Sequence, residues 1–230
     1  MNRAFYVKFA ADFARTRRGW PAGFKRILPY LRPVANVLDL GCGNGRLLAF
    51  LAAAGWRGRY VGIDSSPELL AAAAENAPDL QTSFLQADLL SAEWPASLRG
   101  YVPAAITALA VLHHIPGAAN RGRFLAQCAA LLPAGGLLII STWQFAASPR
   151  LRKRIVPWQA VGIKDEDVEP GDYLVAWGEG AAGHRYCAAI NEETLCGLTA
   201  GAGLARAETF YADGYEGNLN LYGVFMRDEG

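Results

Sequence analysis

The chain has 230 residues, of which 52% are hydrophobic and 19% are charged, and its formal net charge is +1 at pH 7. This length predicts a single domain over residues 1–230, and the composition excludes a disordered or collagen-like chain. No apolar run reaches the ~20 residues that a membrane helix needs, and the first residues lack the apolar stretch of a secretory signal. We therefore expect a soluble, cytoplasmic protein without a membrane partner.

Five short apolar runs alternate with helical patterns between residues 34 and 142. We predict strands at 34–40, 59–63, 82–86, 104–111 and 137–142, and helices at 46–54, 67–75 and 121–132. Strands separated by helices imply right-handed crossovers and a mainly parallel sheet that is covered on both faces. This part of the chain therefore predicts a Rossmann-like α/β fold.

Three further regions flank or interrupt the alternation. Residues from about 1 to 33 carry apolar positions at helical spacing and predict an N-terminal helical cap. Residues from about 143 to 190 break the pattern and predict an insertion or lid. After a helix that starts at Asn191, we predict an edge pair of strands at 205–211 and 218–225 that closes the sheet.

Positive charge is concentrated in two stretches. Residues 1–33 contain eight Lys and Arg against one acid, and residues 115–164 contain seven Lys and Arg with no acid. Such stretches suit a polyanion such as RNA, but charge runs are more often the solvated faces of helices. Both interpretations stay open.

The four cysteines have no spacing typical of a disulfide framework or a zinc site. Cys42, Cys128, Cys187 and Cys196 form no C-x-x-C pair and have no histidines at finger spacing. We expect isolated buried thiols and no metal.

The strongest local signal is the turn 39–45, Asp-Leu-Gly-Cys-Gly-Asn-Gly, which passes from a strand into a helix. Glycines let the backbone approach a ligand, and the start of a helix offers free N–H groups. Arg46 stands where a dinucleotide site usually has Gly or Ala, so a pyrophosphate fits poorly and a nicotinamide dehydrogenase is disfavoured.

Two aspartates follow at the ends of the next two strands. Asp64 is placed to accept hydrogen bonds from the two hydroxyls of a ribose, and Asp88 to accept one from an adenine amino group. Each alone is also typical of a helix cap. Together with the glycine turn they predict a nucleoside site.

These residues resemble the class I S-adenosylmethionine (SAM) methyltransferases. The matching segments are 39–45, 61–66, 87–89 and 132–138. The resemblance implies a seven-stranded sheet with an antiparallel last strand, and SAM lying over the carboxyl ends of the first four strands. We expect these residues to bind SAM: Arg17, Gly41, Cys42, Gly43, Gly45, Asp64, Ser65, Asp88, Leu89 and Ala110.

A narrower set of segments resembles the tRNA wobble-uridine methyltransferases that esterify a 5-carboxymethyl group. The segments are 16–21, 41–44, 110–114, 171–177 and 185–187. This resemblance implies tRNA as the methyl acceptor. A small-molecule O- or N-methyltransferase and a non-catalytic SAM-binding partner protein are the alternatives, an activating protein partner is possible, and no DNA partner is expected.

His113 is the expected catalytic residue. A carboxylate acceptor is ionised at neutral pH, so His113 would orient it, whereas a hydroxyl or amine acceptor would need His113 as a base. Four tryptophans either wall an acceptor pocket or fill the core, and we expect core positions for at least two of them: Trp20, Trp143, Trp158 and Trp177.

Overall fold

The computed structural model describes residues 2, 5, 9, 19–178 and 183–228. The strands are β1 (Asn36–Leu40), β2 (Arg59–Asp64), β3 (Thr82–Gln86), β4 (Ala105–Leu109), β5 (Leu137–Trp143), β6 (Ile155–Val156), β7 (Asp172–Trp177), β8 (Gly183–Ala188), β9 (Leu204–Ala212) and β10 (Asn220–Arg227). The α-helices are α1 (Ala22–Leu31), α2 (Arg46–Ala53), α3 (Pro67–Glu75), α4 (Ala118–Leu131), α5 (Pro149–Arg152) and α6 (Glu192–Ala200). Short 3-10 helices lie at Trp94–Leu98, Leu112–His114, Trp158–Val161 and Asp165–Asp167.

Seven strands form one sheet in the order β3-β2-β1-β4-β5-β10-β9. Strands β1 to β5 pair in parallel, and β10 is antiparallel to both β5 and β9. The mainly parallel sheet and its antiparallel last strand are thus confirmed. The order reverses between β1 and β4, and the crevice at such a reversal is where open α/β sheets bind ligands.

The sheet is buried on both faces because apolar residues on each strand alternate between two cores. Leu38 and Leu40 of β1 share one core with Phe124 of α4. Val37 points to the other core and packs with residues of α1 and α2, among them Ile27. Helices therefore cover both sides, and the open carboxyl edge of the parallel strands is left for a ligand.

The structure corrects one predicted strand boundary and the predicted place of one strand in the sheet. The fourth strand ends at Leu109 rather than at residue 111, because Ala110 adopts φ +59°, outside the extended region, and a 3-10 turn follows. The last two strands are not both at the edge: β10 lies inside the sheet between β5 and β9, and only β9 is an edge strand.

Residues within the expected insertion form a second, three-stranded antiparallel sheet, β6-β7-β8. The side chains of Phe5 and Phe9 pack on Trp177 of this sheet, with ring centroids 5.6 and 4.7 Å away. The Asn2 amide accepts from the backbone N–H of Tyr186 at 2.8 Å and donates to its carbonyl at 3.0 Å. Residues 2, 5 and 9 thus pack against the second sheet.

No helix within the described ranges is both long and apolar enough to span a membrane.

Candidate active site

The glycine turn between β1 and α2 needs its glycines for different reasons. Gly41, Gly43 and Gly45 all have φ between +54° and +76°. A Cβ on Gly41 would lie 2.4 Å from Val111 Cγ2, and a Cβ on Gly45 would lie 3.3 Å from that of Ala73, whereas a Cβ on Gly43 would meet nothing within 4 Å. The turn therefore packs against the protein at its ends and leaves its middle open to a ligand.

Asp64, at the end of β2, is joined to this turn by hydrogen bonds. One carboxylate oxygen accepts from the backbone N–H of Gly43 and the other from that of Ser66, both at 2.9 Å. Burial raises the pKa of Asp64, and the hydrogen bonds from these backbone groups oppose that shift. A carboxylate has about four acceptor positions, so two remain for the hydroxyls of a ribose.

Asp39 is a buried carboxylate that was not singled out from the sequence. It is 3% exposed and accepts from the hydroxyls of Tyr60 at 2.5 Å and Thr107 at 2.6 Å. Burial raises its pKa to about 6, against the two hydrogen bonds, which lower it. Asp39 also lines the cavity that opens over the ends of the parallel strands.

A cavity of about 1260 Å³ opens over the carboxyl ends of the parallel strands. It brings together nine of the predicted site residues: Gly41, Cys42, Gly43, Asp64, Ser65, Asp88, Leu89, Ala110 and His113. Gly45 is not in the lining and serves as the residue before α2. Arg17 lies outside the described residues.

Two of the lining residues, Asp88 and Ala110, form hydrogen bonds that fix the backbone around them. Asp88 is exposed and accepts from the backbone N–H of Leu90 at 2.9 Å, so its carboxylate caps a turn rather than the start of a helix. Ala110 is held at its positive φ by hydrogen bonds from its N–H to the carbonyl and hydroxyl of Ser141, at 3.1 and 2.9 Å. Strained residues of this kind cluster at functional sites.

His113 and His114 lie at the far end of the cavity from Asp64 and Asp88, beyond the end of β4. His113 is buried, and its Nδ1 accepts from the backbone N–H of Trp143 at 3.4 Å. The neutral ring then carries its proton on Nε2, which makes Nε2 a hydrogen-bond donor. This geometry favours an orienting role for His113 over that of a base.

Arg185 of β8 lines the same end of the cavity and is 8% exposed. Its guanidinium carbon lies 4.6 Å from the ring centroid of Trp143 and 5.7 Å from that of Phe5. Within the described ranges, its Nε is a buried nitrogen without a hydrogen-bond partner, and no carboxylate pairs with its side chain. The protein thus holds a buried cation by aromatic faces alone.

A second buried arginine holds the β6-β7-β8 sheet to the main domain. Arg121 of α4 donates to the Tyr186 hydroxyl at 2.8 Å and to Glu169 at 3.2 Å, and lies 3.6 Å from Asp172. The Tyr186 hydroxyl in turn donates to Asp172 at 2.6 Å, which helps to raise the pKa of Tyr186. This network fixes β8, and therefore Arg185, over the cavity.

All four tryptophans singled out in the sequence line the cavity: Trp20, Trp143, Trp158 and Trp177. Trp158 is also buried in the main core, but Trp20 is 46% exposed, and Trp143 and Trp177 are partly exposed. The expectation that at least two would be core residues is therefore wrong.

A Rossmann-like sheet with a glycine turn and strand-end aspartates is the arrangement of nucleoside-binding α/β enzymes. A family model described as "Methyltransferase domain" matches residues 13–207. The chain therefore belongs to the methyltransferase family, whose SAM-dependent class is the one expected from the sequence.

Individual relatives agree with this family. The chain is 33% identical over 162 residues to a trans-aconitate 2-methyltransferase from Azoarcus sp., covering 67% of this chain and 56% of the relative. It is 33% identical over 114 residues to a ubiquinone biosynthesis O-methyltransferase from Xanthomonas campestris, covering 48% and 44%. The chain thus spans about half the length of the curated relatives it matches. These relatives are named for small molecules and not for tRNA.

A solved structure with the same fold contains the demethylated cofactor. The N-methyltransferase NodS from Bradyrhizobium japonicum, in complex with S-adenosyl-L-homocysteine (SAH), matches with a TM-score of 0.61 at 16% identity, covering 89% of this chain and 84% of that one. The expected fold is thereby confirmed, and SAM is the cofactor of the family.

Proposed function

We propose that this chain binds SAM at the glycine turn and transfers the methyl group to a small-molecule acceptor in the same cavity. The observation that carries the proposal is the continuity of the cavity, which runs from Gly43 and Asp64 to His113 and Arg185. A non-catalytic SAM-binding protein needs no such acceptor space beside its cofactor. The trans-aconitate and ubiquinone-biosynthesis relatives support a small molecule.

The residues present fit SAM by shape and charge. The open side of Gly43 leaves room for a ligand close to the backbone, and Asp64 retains acceptor positions for a ribose. The buried carboxylate of Asp39 lies in the lining, where negative charge favours a cation. SAM, when bound, supplies a methyl group on a positively charged sulfur.

The protein's own contribution is positioning. Methyl transfer is an in-line displacement, in which alignment of the acceptor can supply several kcal/mol of the barrier. His113 and Trp143 line the cavity, as do Trp177 and Arg185 of the second sheet, and these residues would hold the acceptor. An acceptor oxygen held by His113 is oriented without being deprotonated.

Calorimetry with SAM and SAH tests the cofactor assignment. We expect binding to the wild-type chain and at least a tenfold weaker Kd for Asp64→Ala, about 1.4 kcal/mol, because the ribose acceptor is lost. The exposed Asp79→Ala variant is the matched control and is expected to bind normally. Absence of SAM and SAH binding at millimolar concentration would refute the proposal.

The wobble-uridine interpretation is the second candidate, favoured by one feature. Arg150, Arg152, Lys153 and Arg154 are all exposed, and Arg154 lines the cavity. A tRNA acceptor predicts methyl transfer to bulk tRNA and a steep loss of tRNA affinity between low and moderate salt. Turnover by the purified chain alone would also exclude the need for an activating protein partner. Cytoplasmic location stays a prediction.

A further inference from the structure

The two buried arginines on the acceptor side of the fold, Arg121 and Arg185, differ in their charged partners. Arg121 faces Glu169 and Asp172 and is bonded to the Tyr186 hydroxyl. Arg185, which precedes Tyr186 on β8, is equally buried, and among the described residues it contacts the rings of Trp143 and Phe5 and no carboxylate. Desolvating a charge without a paired counter-charge is costly, so an unpaired buried guanidinium calls for a ligand.

We propose that Arg185 binds a carboxylate of the methyl acceptor, so that the substrates of this protein are carboxylic acids. A guanidinium matches a carboxylate with two parallel N–H donors. Arg185 lines the cavity and is 8% exposed, and among the described residues no carboxylate pairs with it. Its fully buried Nε also lacks an acceptor there, so the guanidinium is not neutralised by the protein around it. The inference rests on the proposed function, since it names the acceptor of the same cavity.

Four of the acids that line the cavity already have other partners. Glu169 and Asp172 are engaged by Arg121, and Asp64 is engaged by backbone N–H groups. Asp213 accepts from the Gly23 N–H, the Asn220 amide and the Tyr222 hydroxyl. The guanidinium carbon of Arg185 lies 4.6 Å from the ring centroid of Trp143, a contact that restricts the side chain before any ligand binds.

The hydrogen bond of His113 agrees with the same substrate class. Its Nδ1 accepts from the backbone N–H of Trp143, so this nitrogen is not available to remove a proton from an acceptor. A carboxylate is ionised at neutral pH and needs no base. A lone pair of the carboxylate oxygen forms the new C–O bond while the methyl–sulfur bond breaks and its electron pair stays on sulfur. The products are a neutral methyl ester and SAH, and no proton moves.

A methyl-transfer assay on matched acceptors tests the substrate class. Tritiated-methyl SAM is incubated with mono-, di- and tricarboxylic acids, trans-aconitate among them, and with the primary amide, alcohol and amine counterpart of each. We expect label only with the acids, in a product that releases tritiated methanol in alkali as a methyl ester does. Label in alkali-stable products of the amines or alcohols, or no label with any acid, would overturn the inference.

The residue is tested by comparing Arg185→Met with Arg150→Met, which changes an exposed arginine outside the cavity lining. For the best acid, we expect Arg185→Met to raise KM at least tenfold and Arg150→Met to leave it within twofold. Arg185→Lys should recover part of the loss, since it restores the charge but not the fork. An unchanged KM in Arg185→Met would refute the role of this residue.

Calorimetry separates failure of this inference from failure of the proposed function. SAH should bind Arg185→Met with the wild-type Kd, because Arg185 belongs to the acceptor end of the cavity. If wild-type protein binds SAH but methylates only neutral acceptors, the carboxylate inference fails and the methyltransferase proposal stands. If SAH does not bind at all, the proposed function itself is refuted.

Discussion

The two ends of the cavity differ in how completely the protein satisfies their polar groups. At the glycine turn, Asp64 and Asp39 each accept two hydrogen bonds from neighbouring strands and loops. At the acceptor end, the buried Arg185 has aromatic neighbours and no carboxylate within the described residues. The cofactor end is thus built from groups that the main sheet already holds by hydrogen bonds, whereas the acceptor end contains a guanidinium that is left to pair with the acceptor.

The largest difference in the free energy of unfolding is expected between variants of the two buried arginines, Arg121 and Arg185. Arg121→Met removes the partner of the buried Asp172 and of Glu169, and we expect a loss of about 3–5 kcal/mol in the free energy of unfolding. Arg185→Met loses a cation–π contact but also removes an unpaired donor, so its stability should stay within about 1 kcal/mol of the wild type. Urea unfolding measures both.

Equal losses in the two variants would contradict the distinction between a structural and a ligand-binding arginine. The Tyr186→Phe variant provides a milder control, because it removes a hydroxyl that bonds both Arg121 and Asp172 but keeps the ion pair. It is expected to cost about 1 kcal/mol, the net value of a typical hydrogen bond.

The cofactor end could be predicted from the sequence because its residues lie at or near the ends of the predicted strands. The glycine turn follows β1, Asp64 is the last residue of β2, and Asp88 comes two residues after β3. Parallel strands bring their carboxyl ends to one edge of the sheet. Nine of the predicted site residues consequently share one cavity. The strand and helix boundaries of this half also agree closely, and α3 starts and ends where predicted, at Pro67 and Glu75.

The acceptor end was only partly predictable because its contacts are distant in sequence. Arg185 is brought to Trp143 and Phe5 by the pairing of β7 with β8. These strands belong to the second sheet, and the predicted insertion or lid was given no strands. Period-2 alternation over so short a segment carries a weak signal. Asp39 is part of the recognised turn, but its burial depends on Tyr60 and Thr107 of neighbouring strands.

The cofactor end should also affect stability through pH. Because burial raises the pKa of Asp39 to about 6 from 3.8, the folded protein holds this proton more tightly than the unfolded chain. The resulting contribution is fully present below about pH 4 and is lost as pH rises through 6, by about 3 kcal/mol. Other carboxyl groups titrate too, so the informative quantity is the difference between wild type and Asp39→Asn.

Denaturant unfolding between pH 4 and pH 7.5 gives that difference. The stability of wild type relative to Asp39→Asn should fall as the pH rises. The exposed Asp79→Asn variant is measured alongside it as a surface substitution of the same type. A pH-independent difference for Asp39→Asn would mean that this carboxyl has the same affinity for its proton in the folded and unfolded chain.

The smallest expected change in stability distinguishes Gly41 from Gly43 in the glycine turn. Both have positive φ, so alanine at either costs about 1 kcal/mol in backbone strain. At Gly41 the new Cβ would also meet Val111 Cγ2 at 2.4 Å, and the stiff branched side chain raises the expected cost to about 2 kcal/mol. At Gly43 the Cβ projects into open space, so Gly43→Ala should lose little more stability but at least tenfold in SAH affinity. Urea unfolding and calorimetry on the pair check this, and Gly43→Ala with wild-type SAH affinity would place the ligand away from the middle of the turn.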